Sequence, residues 1–134
     1  NEPNDTVATA TPIVLSGGTG TAEGYLATPN DNDVFTFSVP AGRRIAYVRV
    51  QAPVLVPPQP ATLRLFYRLF NESNVAVSEA TATALADADL STARLSSAGG
   101  TWRLEVRGFR QTSNANVPGD IRYRYTVTVM TLTD

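Results

Sequence analysis

The chain has 134 residues, a formal net charge of −1 and 43% hydrophobic residues, and it contains no cysteine and no histidine. This length and composition indicate one folded domain, residues 1–134, with a core of its own. The missing residue types exclude a disulfide framework, thiolate or imidazole metal sites and histidine-assisted nucleophiles. The near-neutral charge argues against nucleic acid as a partner, and the lack of an apolar run of about 18 residues argues against a membrane span.

From residue 34 onward, apolar and polar residues alternate with the period of two that is typical of half-buried strands. The predicted strands are 34–39, 44–52, 63–70, 75–80, 93–95, 101–109 and 121–132. Between them lie a proline-rich stretch at 52–61, an NESN turn at 71–74, an irregular Ala-rich connection at 80–90, an AGG turn at 98–100 and a polar loop at 111–120. About eight short strands without a convincing helix predict an all-β fold, an antiparallel β-sandwich or jelly roll.

Within each predicted strand, the apolar set is expected to face the core. The predicted core residues are Phe35, Phe37, Leu63, Leu65, Tyr67, Trp102, Leu104, Val106, Ile121, Tyr123, Tyr125, Val127 and Val129. The same alternation places arginine pairs on outer faces of the sheets, namely Arg64 and Arg68, Arg103 and Arg107, and Arg122 and Arg124.

The first quarter of the chain is acidic and has no basic residue before Arg43. It contains two oxygen-rich patches, NEPNDT at residues 1–6 and NDND at residues 30–33. Because Ca²⁺ takes about six to eight oxygen ligands, the two patches together form a candidate cation site. NDND does not fit an EF-hand loop, since Thr36 stands where that loop requires glycine. The alternative is that one patch is a solvated turn and the other a frayed terminus.

Candidates for acid–base chemistry are the carboxylate pairs Asp31/Asp33 and Asp87/Asp89. Asp-x-Asp pairs are common in turns, where the side chain bonds its own backbone, and this is our interpretation of Asp87/Asp89. The sequence has no zinc motif and no glycine-rich phosphate loop. We therefore expect a non-catalytic module.

Seven segments occur in an order that resembles a known family. They are NEPNDT (1–6), ATPI (10–13), GYL (24–26), NDNDVFTFSVPAG (30–42), LRLFY (63–67), AGGTWRLEVRGF (98–109) and YRYTVTV (123–129). In this order they resemble the bacterial pre-peptidase C-terminal domain. That family includes the collagen-binding C-terminal domains of secreted clostridial collagenases. The E-x-N-D opening followed by D-x-F-x-F is the more specific part of the match.

The resemblance implies a β-sandwich that is not catalytic and is attached, in the same polypeptide, to a secreted peptidase or another exported bacterial hydrolase. In calcium-binding members, the ligands come from the E-x-N-D segment and from the loop before the D-x-[FY] strand. Carried over to this chain, the implied Ca²⁺ ligands are Glu2, Asn4, Asp5, the Gly24 carbonyl, Asn30, Asp31 and Asp33. The ion would dock residues 1–6, the N-terminal linker segment, onto the sheet.

The expected role is to stabilise or space the parent enzyme, or to hold it near an insoluble protein or polysaccharide outside the cell. The alternative is a polymer-binding module. Some relatives bind collagen through exposed aromatic residues, and here the alternation leaves Tyr47, Phe66, Phe70 and Phe109 as candidates. Phe66, Arg68 and Phe70 would form the ligand-binding face. The simpler interpretation is that this face packs under the 52–61 loop or between the sheets.

Overall fold

The structure, a computed structural model, describes residues 6–25, 32–51, 63–82, 88–89, 95–110 and 124–133. These residues form a short 3₁₀ turn at Val7–Thr9 and ten strands. None of them belongs to a helix that is long and apolar enough to cross a membrane. The strands are β1 (Thr11–Pro12), β2 (Thr19–Tyr25), β3 (Asn32–Val39), β4 (Arg43–Gln51), β5 (Leu63–Phe70), β6 (Ala76–Ala82), β7 (Ala88–Asp89), β8 (Leu95–Ser96), β9 (Gly100–Arg110) and β10 (Arg124–Thr133).

The strands form two sheets whose inner faces share one core. Sheet A has the order β1-β3-β9-β5-β6, and sheet B has the order β2-β10-β4-β7, with β8 also paired to β4. The parallel pair is β1 with β3, and the remaining pairs of named strands are antiparallel. The predicted all-β sandwich is confirmed. The described part of the chain has more strands than the predicted eight because the prediction lacks β1, β2 and β7, whereas β8 overlaps the predicted 93–95 strand.

The core follows the predicted alternation on the long strands. The predicted core residues whose side chains are described are all buried, namely Phe35, Phe37, Tyr67, Trp102, Leu104, Val106, Tyr125, Val127 and Val129. The predictions for Leu63, Leu65, Ile121 and Tyr123 fall on side chains outside the described set.

Strand β4 also contributes to the core, although the predicted core set omits it. Ile45, Val48 and Val50 are fully buried on its inner face. Their spacing is irregular because the register with β10 shifts between Met130 and Thr131, which is a β-bulge. A strict period of two therefore does not identify these three positions.

Strand β2 has no counterpart among the predicted strands. Its sequence, TGTAEGY, has no alternating large apolar residues, yet it pairs with β10 along its whole length. The inward positions Gly20, Ala22 and Gly24 are small, so β2 fills less of the core than the other long strands. The predicted loops at 52–61 and 111–120 lie outside the described residues, as does residue 93 of the predicted 93–95 strand.

Candidate functional site

The predicted calcium ligands fall into two groups in the structure. Gly24 and Asp33 lie in the described part of the chain, and Glu2, Asn4, Asp5, Asn30 and Asp31 lie outside it. Gly24 is near the end of β2 in sheet B, and Asp33 is near the beginning of β3 in sheet A. A single side chain from β10, Tyr125, contacts both residues.

Asp33 is a carboxylate inside the sandwich. Its exposed fraction is 0%, and its position on β3 places it on the same face as Phe35. The Tyr125 hydroxyl donates a hydrogen bond to Asp33 Oδ2. Because Tyr125 belongs to sheet B, this bond crosses the interior and orients the carboxylate. A carboxylate is costly to bury unless it is hydrogen-bonded, paired or bound to a metal, so Asp33 is the strongest site candidate among the described residues.

Gly24 provides the space that the tyrosine ring occupies. It lies directly opposite Tyr125 in the pairing of β2 with β10. A Cβ at Gly24 would be 2.5 Å from Tyr125 Cε2 and still closer to Cζ and Oη. The ring also meets Phe35 edge to face, with 6.1 Å between centroids and an interplanar angle of 81°. Gly24 and Phe35 thus keep the ring where its hydroxyl reaches Asp33.

Tyr125 is the site residue that the sequence analysis assigns only to the core. A usable signal is present, because Tyr125 occupies an inward position of β10 where Val127 and Val129 follow, and a buried phenol usually needs a hydrogen-bond partner. The partner itself is 92 residues away in sequence. Only the packing of the two sheets identifies it as Asp33.

The parallel strand β1 places the described residues just before it, Thr6 to Ala10, toward the end of β3 that carries Asp33. Thr11 pairs with Phe35, and the Ile13 N–H donates to the Thr36 carbonyl at 2.7 Å. Because the pairing is parallel, the chain before Thr11 leads toward the beginning of β3, where Asp33 lies. The 3₁₀ turn at Val7–Thr9 contacts β3 as well.

The donors predicted for a site at Asp33 are of the kind that a hard cation takes. Among the described residues, no three acidic side chains lie close enough together to hold a metal ion. A site at Asp33 would therefore take its other side-chain donors from residues 1–5 and 26–31, where the sequence predicts them. All the predicted donors are oxygens, which Ca²⁺ prefers, and the Tyr125 bond is the kind of contact that fixes a ligating carboxylate.

The second candidate site, Phe66, Arg68 and Phe70, lies on the outer face of sheet A. Both phenylalanines are half-buried and each has a guanidinium over its ring. Arg68 Cζ is 5.4 Å from the Phe66 ring centroid, and Arg103 Cζ of β9 is 3.8 Å from the Phe70 centroid. Arg68 also pairs with Glu79 of β6 at 3.0 Å. The three residues thus share one face, as the alternation predicts.

Charge pairing continues on the neighbouring strand. Glu105 of β9 accepts from Arg103 at 2.9 Å and lies 3.6 Å from Arg107, whose side chain is 53% exposed. This outer face is a layer of paired charges and covered rings rather than a bare aromatic strip.

Tyr47, on sheet B, likewise has a guanidinium near its ring, that of Arg49 at 5.3 Å. The side chain of Phe109 lies outside the described set.

Several solved structures have a similar fold. The pre-peptidase C-terminal domain of collagenase from Bacillus anthracis superposes with a TM-score of 0.55 at 17% sequence identity, covering 98% of this chain and 99% of that chain. This chain has the fold of a pre-peptidase C-terminal domain. PliG from Aeromonas hydrophila, a periplasmic inhibitor of g-type lysozyme, gives a TM-score of 0.51 at 12% identity, covering 92% and 97%. No family model and no curated protein matches the sequence.

Proposed function

We propose that this chain is a non-catalytic accessory domain of an exported bacterial hydrolase, carried in the same polypeptide and acting outside the cytoplasm. The fold it shares with a collagenase domain supports this role, and so does the absence of histidine and cysteine from the sequence. The observation that carries the proposal is the Asp33 carboxylate, which is buried between the sheets and oriented by Tyr125.

The same observation argues against an enzyme that uses Asp31 and Asp33 as an acid–base pair. Such a pair needs both carboxylates to face a substrate. Asp33 instead has 0% exposure and accepts a hydrogen bond from the interior. A role for Asp33 as a ligand that holds neighbouring segments of the chain explains this geometry better than proton transfer to a substrate does.

Within this role, Asp33 is proposed to bind Ca²⁺ together with the Gly24 carbonyl and with Glu2, Asn4, Asp5, Asn30 and Asp31. The bound ion would supply positive charge that joins the oxygen-rich segments. The chain itself supplies the geometry: β1 pairs in parallel with β3, so the residues just before β1 lie toward Asp33, and Tyr125 holds the carboxylate in one direction. Docking of residues 1–6 would then fix the direction in which the N-terminal linker leaves the domain.

The test is thermal unfolding in excess EDTA and in millimolar Ca²⁺, for the wild type and for Asp33→Asn. A ligand that binds only the folded state adds about 2.7 kcal/mol at 100 times its Kd, so we expect a Tm increase of several degrees in the wild type. Asp33→Asn should lose most of this increase. Glu79→Gln is the matched control, because Glu79 is an exposed carboxylate in an ion pair on β6 and should keep it.

Titration calorimetry with Ca²⁺ provides a second measurement that does not depend on stability. A saturable isotherm in the wild type and Glu79→Gln, lost in Asp33→Asn, would support the metal site. Identical melting curves and no heat of binding would reject Ca²⁺ binding at Asp33 and leave the accessory role to be tested by deletion of the domain from its parent enzyme.

The polymer-binding alternative is supported by one observation, the position of Phe66 and Phe70 on an outer sheet face with part of their surface accessible. It would hold the parent enzyme on an insoluble protein or polysaccharide. Co-sedimentation of the domain with each type of polymer tests it, with Phe66→Ala and Phe70→Ala as variants. Binding that both substitutions weaken would favour this function, and binding that neither substitution changes would move the contact elsewhere.

A further inference from the structure

A second carboxylate closes the end of the sandwich opposite Asp33. Glu72 lies in the turn between β5 and β6, and its Oε1 accepts the backbone N–H of Ala98 at 3.0 Å. Its Oε2 lies 3.4 Å from Ser97 Oγ. Ser97 and Ala98 belong to the turn between β8 and β9, so one side chain joins two turns that are about 25 residues apart in sequence.

The turn that contains Glu72 is stabilised by hydrogen bonds between its own residues. Asn71 Oδ1 accepts the N–H groups of Ser73 and Val75, each at 3.0 Å. Asn74 closes the turn with a φ of 60°, a conformation that asparagine tolerates better than most residues. Glu72 therefore projects from a fixed backbone.

Ser97 connects this carboxylate to both sheets. Its Oγ accepts the Gly99 N–H at 3.0 Å and the Trp102 indole N–H at 3.2 Å. Its backbone N–H donates to the Arg43 carbonyl at the start of β4. The hydroxyl has one proton and two acceptors within reach, the Val39 carbonyl at 3.2 Å and Glu72.

Two glycines let the β8–β9 turn pack closely, Gly100 against Glu72 and Gly99 against Ala41 of the β3–β4 turn. A Cβ at Gly100 would be 2.8 Å from Glu72 Cβ, and Gly100 has a φ of 153°. Gly99 has a φ of 94° and lies against Ala41, with 3.1 Å from the position of a Cβ to the Ala41 nitrogen. The AGG turn that the sequence analysis identifies is thus the surface on which Glu72 rests.

We propose that Glu72, Ser97 and Trp102 form an acid-sensitive latch. The charged carboxylate of Glu72 holds the β8–β9 turn onto the β5–β6 turn. A proton taken up from solvent by Glu72 weakens its bond from Ala98 and leaves the Ser97 hydroxyl to donate to Val39 instead. The Trp102 indole N–H donates to the same hydroxyl, so its environment changes when the Ser97 hydroxyl changes its acceptor.

Hydrogen bonds to charged groups are roughly twice as strong as neutral ones, which gives the latch its dependence on charge. The Ala98 N–H is the largest cause that lowers the pKa of Glu72 from its ordinary value of 4.5, with burial acting in the opposite direction. A group whose pKa is lowered by folding stabilises the fold above its unfolded pKa, and this contribution is lost as the pH falls through the folded pKa. The latch is therefore closed at neutral pH and opens below pH 4.5.

Two arginines on the elements around the latch have side chains with other partners. Arg43 of β4 directs its guanidinium to Thr131, and Arg103 of β9 pairs with Glu105 and reaches the side chain of Asn74. The β8–β9 turn itself, residues 97–99, contains no ionisable side chain. Carboxylates on the packed elements are Glu105 of β9, Glu79 of β6 and Asp33 of β3, and Glu105→Gln serves as the control variant.

The test follows two NMR signals of the whole 134-residue chain from pH 7 to pH 3. They are the Ala98 amide and the indole N–H of Trp102, which is the only tryptophan and gives a single indole signal. We expect both to shift with one common midpoint below 4.5. We expect the protection of the Ala98 amide from hydrogen exchange to fall by about tenfold across it.

Three variants assign the transition. Glu72→Gln keeps the shape and an acceptor for Ala98 but has no charge to lose, so both shifts should vanish. Ser97→Ala should abolish the Trp102 shift and keep that of Ala98. Glu105→Gln should leave both shifts in place. The proposal is overturned if both signals stay constant in the wild type, if Glu72→Gln titrates like the wild type, or if every amide shifts together because the whole domain unfolds.

Discussion

Replacing Gly24 by alanine is the sharpest test of the contact between Gly24, Tyr125 and Asp33. The added Cβ would overlap the Tyr125 ring, 2.5 Å from Cε2 and closer to Cζ and Oη, so the ring must move. Overpacking of this kind costs about 1–3 kcal/mol. The displaced hydroxyl also leaves the buried Asp33 carboxylate without that donor, which costs about 1–3 kcal/mol more. We expect the free energy of unfolding to fall by about 2–6 kcal/mol, with a Tm decrease of the order of 10 °C.

Urea unfolding at pH 7, followed by the fluorescence of the buried Trp102, measures this loss. Tyr125→Phe separates the cost of overpacking from the cost of the lost hydrogen bond, because that variant keeps the ring and removes the hydroxyl. Gly24→Ala should cost less in the Tyr125→Phe background than in the wild type, by about the 1–3 kcal/mol of the hydrogen bond. A loss below about 0.5 kcal/mol for Gly24→Ala would refute the close contact. Additive losses would show that the ring moves without releasing Asp33.

Three further substitutions test other parts of the fold. Leu104→Ala removes a fully buried side chain and should lower the unfolding free energy by about 2–5 kcal/mol in urea. Thr131→Val should lower it by about 1–2 kcal/mol in thermal melts, because the Thr131 hydroxyl accepts from Arg43 at 3.1 Å and donates to the Gly18 carbonyl at 2.9 Å. Arg68→Gln breaks an exposed ion pair and should cost less than about 1 kcal/mol, a difference that disappears at high salt.

The long strands of sheet A could be predicted because each carries its own signal. The predicted 63–70 strand has the bounds of β5, and the inward residues Trp102, Leu104 and Val106 of β9 are buried as predicted. Strand β2 could not be predicted in this way, because its inward residues are glycine and alanine. What makes it a strand is its pairing with β10, about 100 residues later, and no local pattern contains that information.

In the candidate site, too, the residue types could be predicted from local sequence, whereas the contacts between distant segments could not. The oxygen-rich patches, with Asp33 in the second one, could be identified from composition and spacing, because the chemistry of a hard cation restricts the residue types, and their metal binding stays a prediction. The burial of Asp33 and its bond from Tyr125 could not, since both depend on how the two sheets pack. Glu72 escaped notice for a similar reason, because a single glutamate in a turn acquires its role only from the turn that packs on it.

The contact of Asp33 with Tyr125 and the contact of Glu72 with the β8–β9 turn lie near opposite ends of strand β3. Unfolding free energies of single and double variants can show whether the two contacts act independently. Asp33 and Val39 are six residues apart on this strand, about 20 Å at 3.3 Å per residue. Sites that far apart without shared partners usually have additive effects, within about 0.5 kcal/mol. The double variant Tyr125→Phe, Glu72→Gln should therefore lose the sum of the two single losses in urea unfolding at pH 7. A deviation above about 1 kcal/mol would mean that β3 transmits strain between the two ends. In that case, Ca²⁺ bound at Asp33 would also alter the acid response of Glu72.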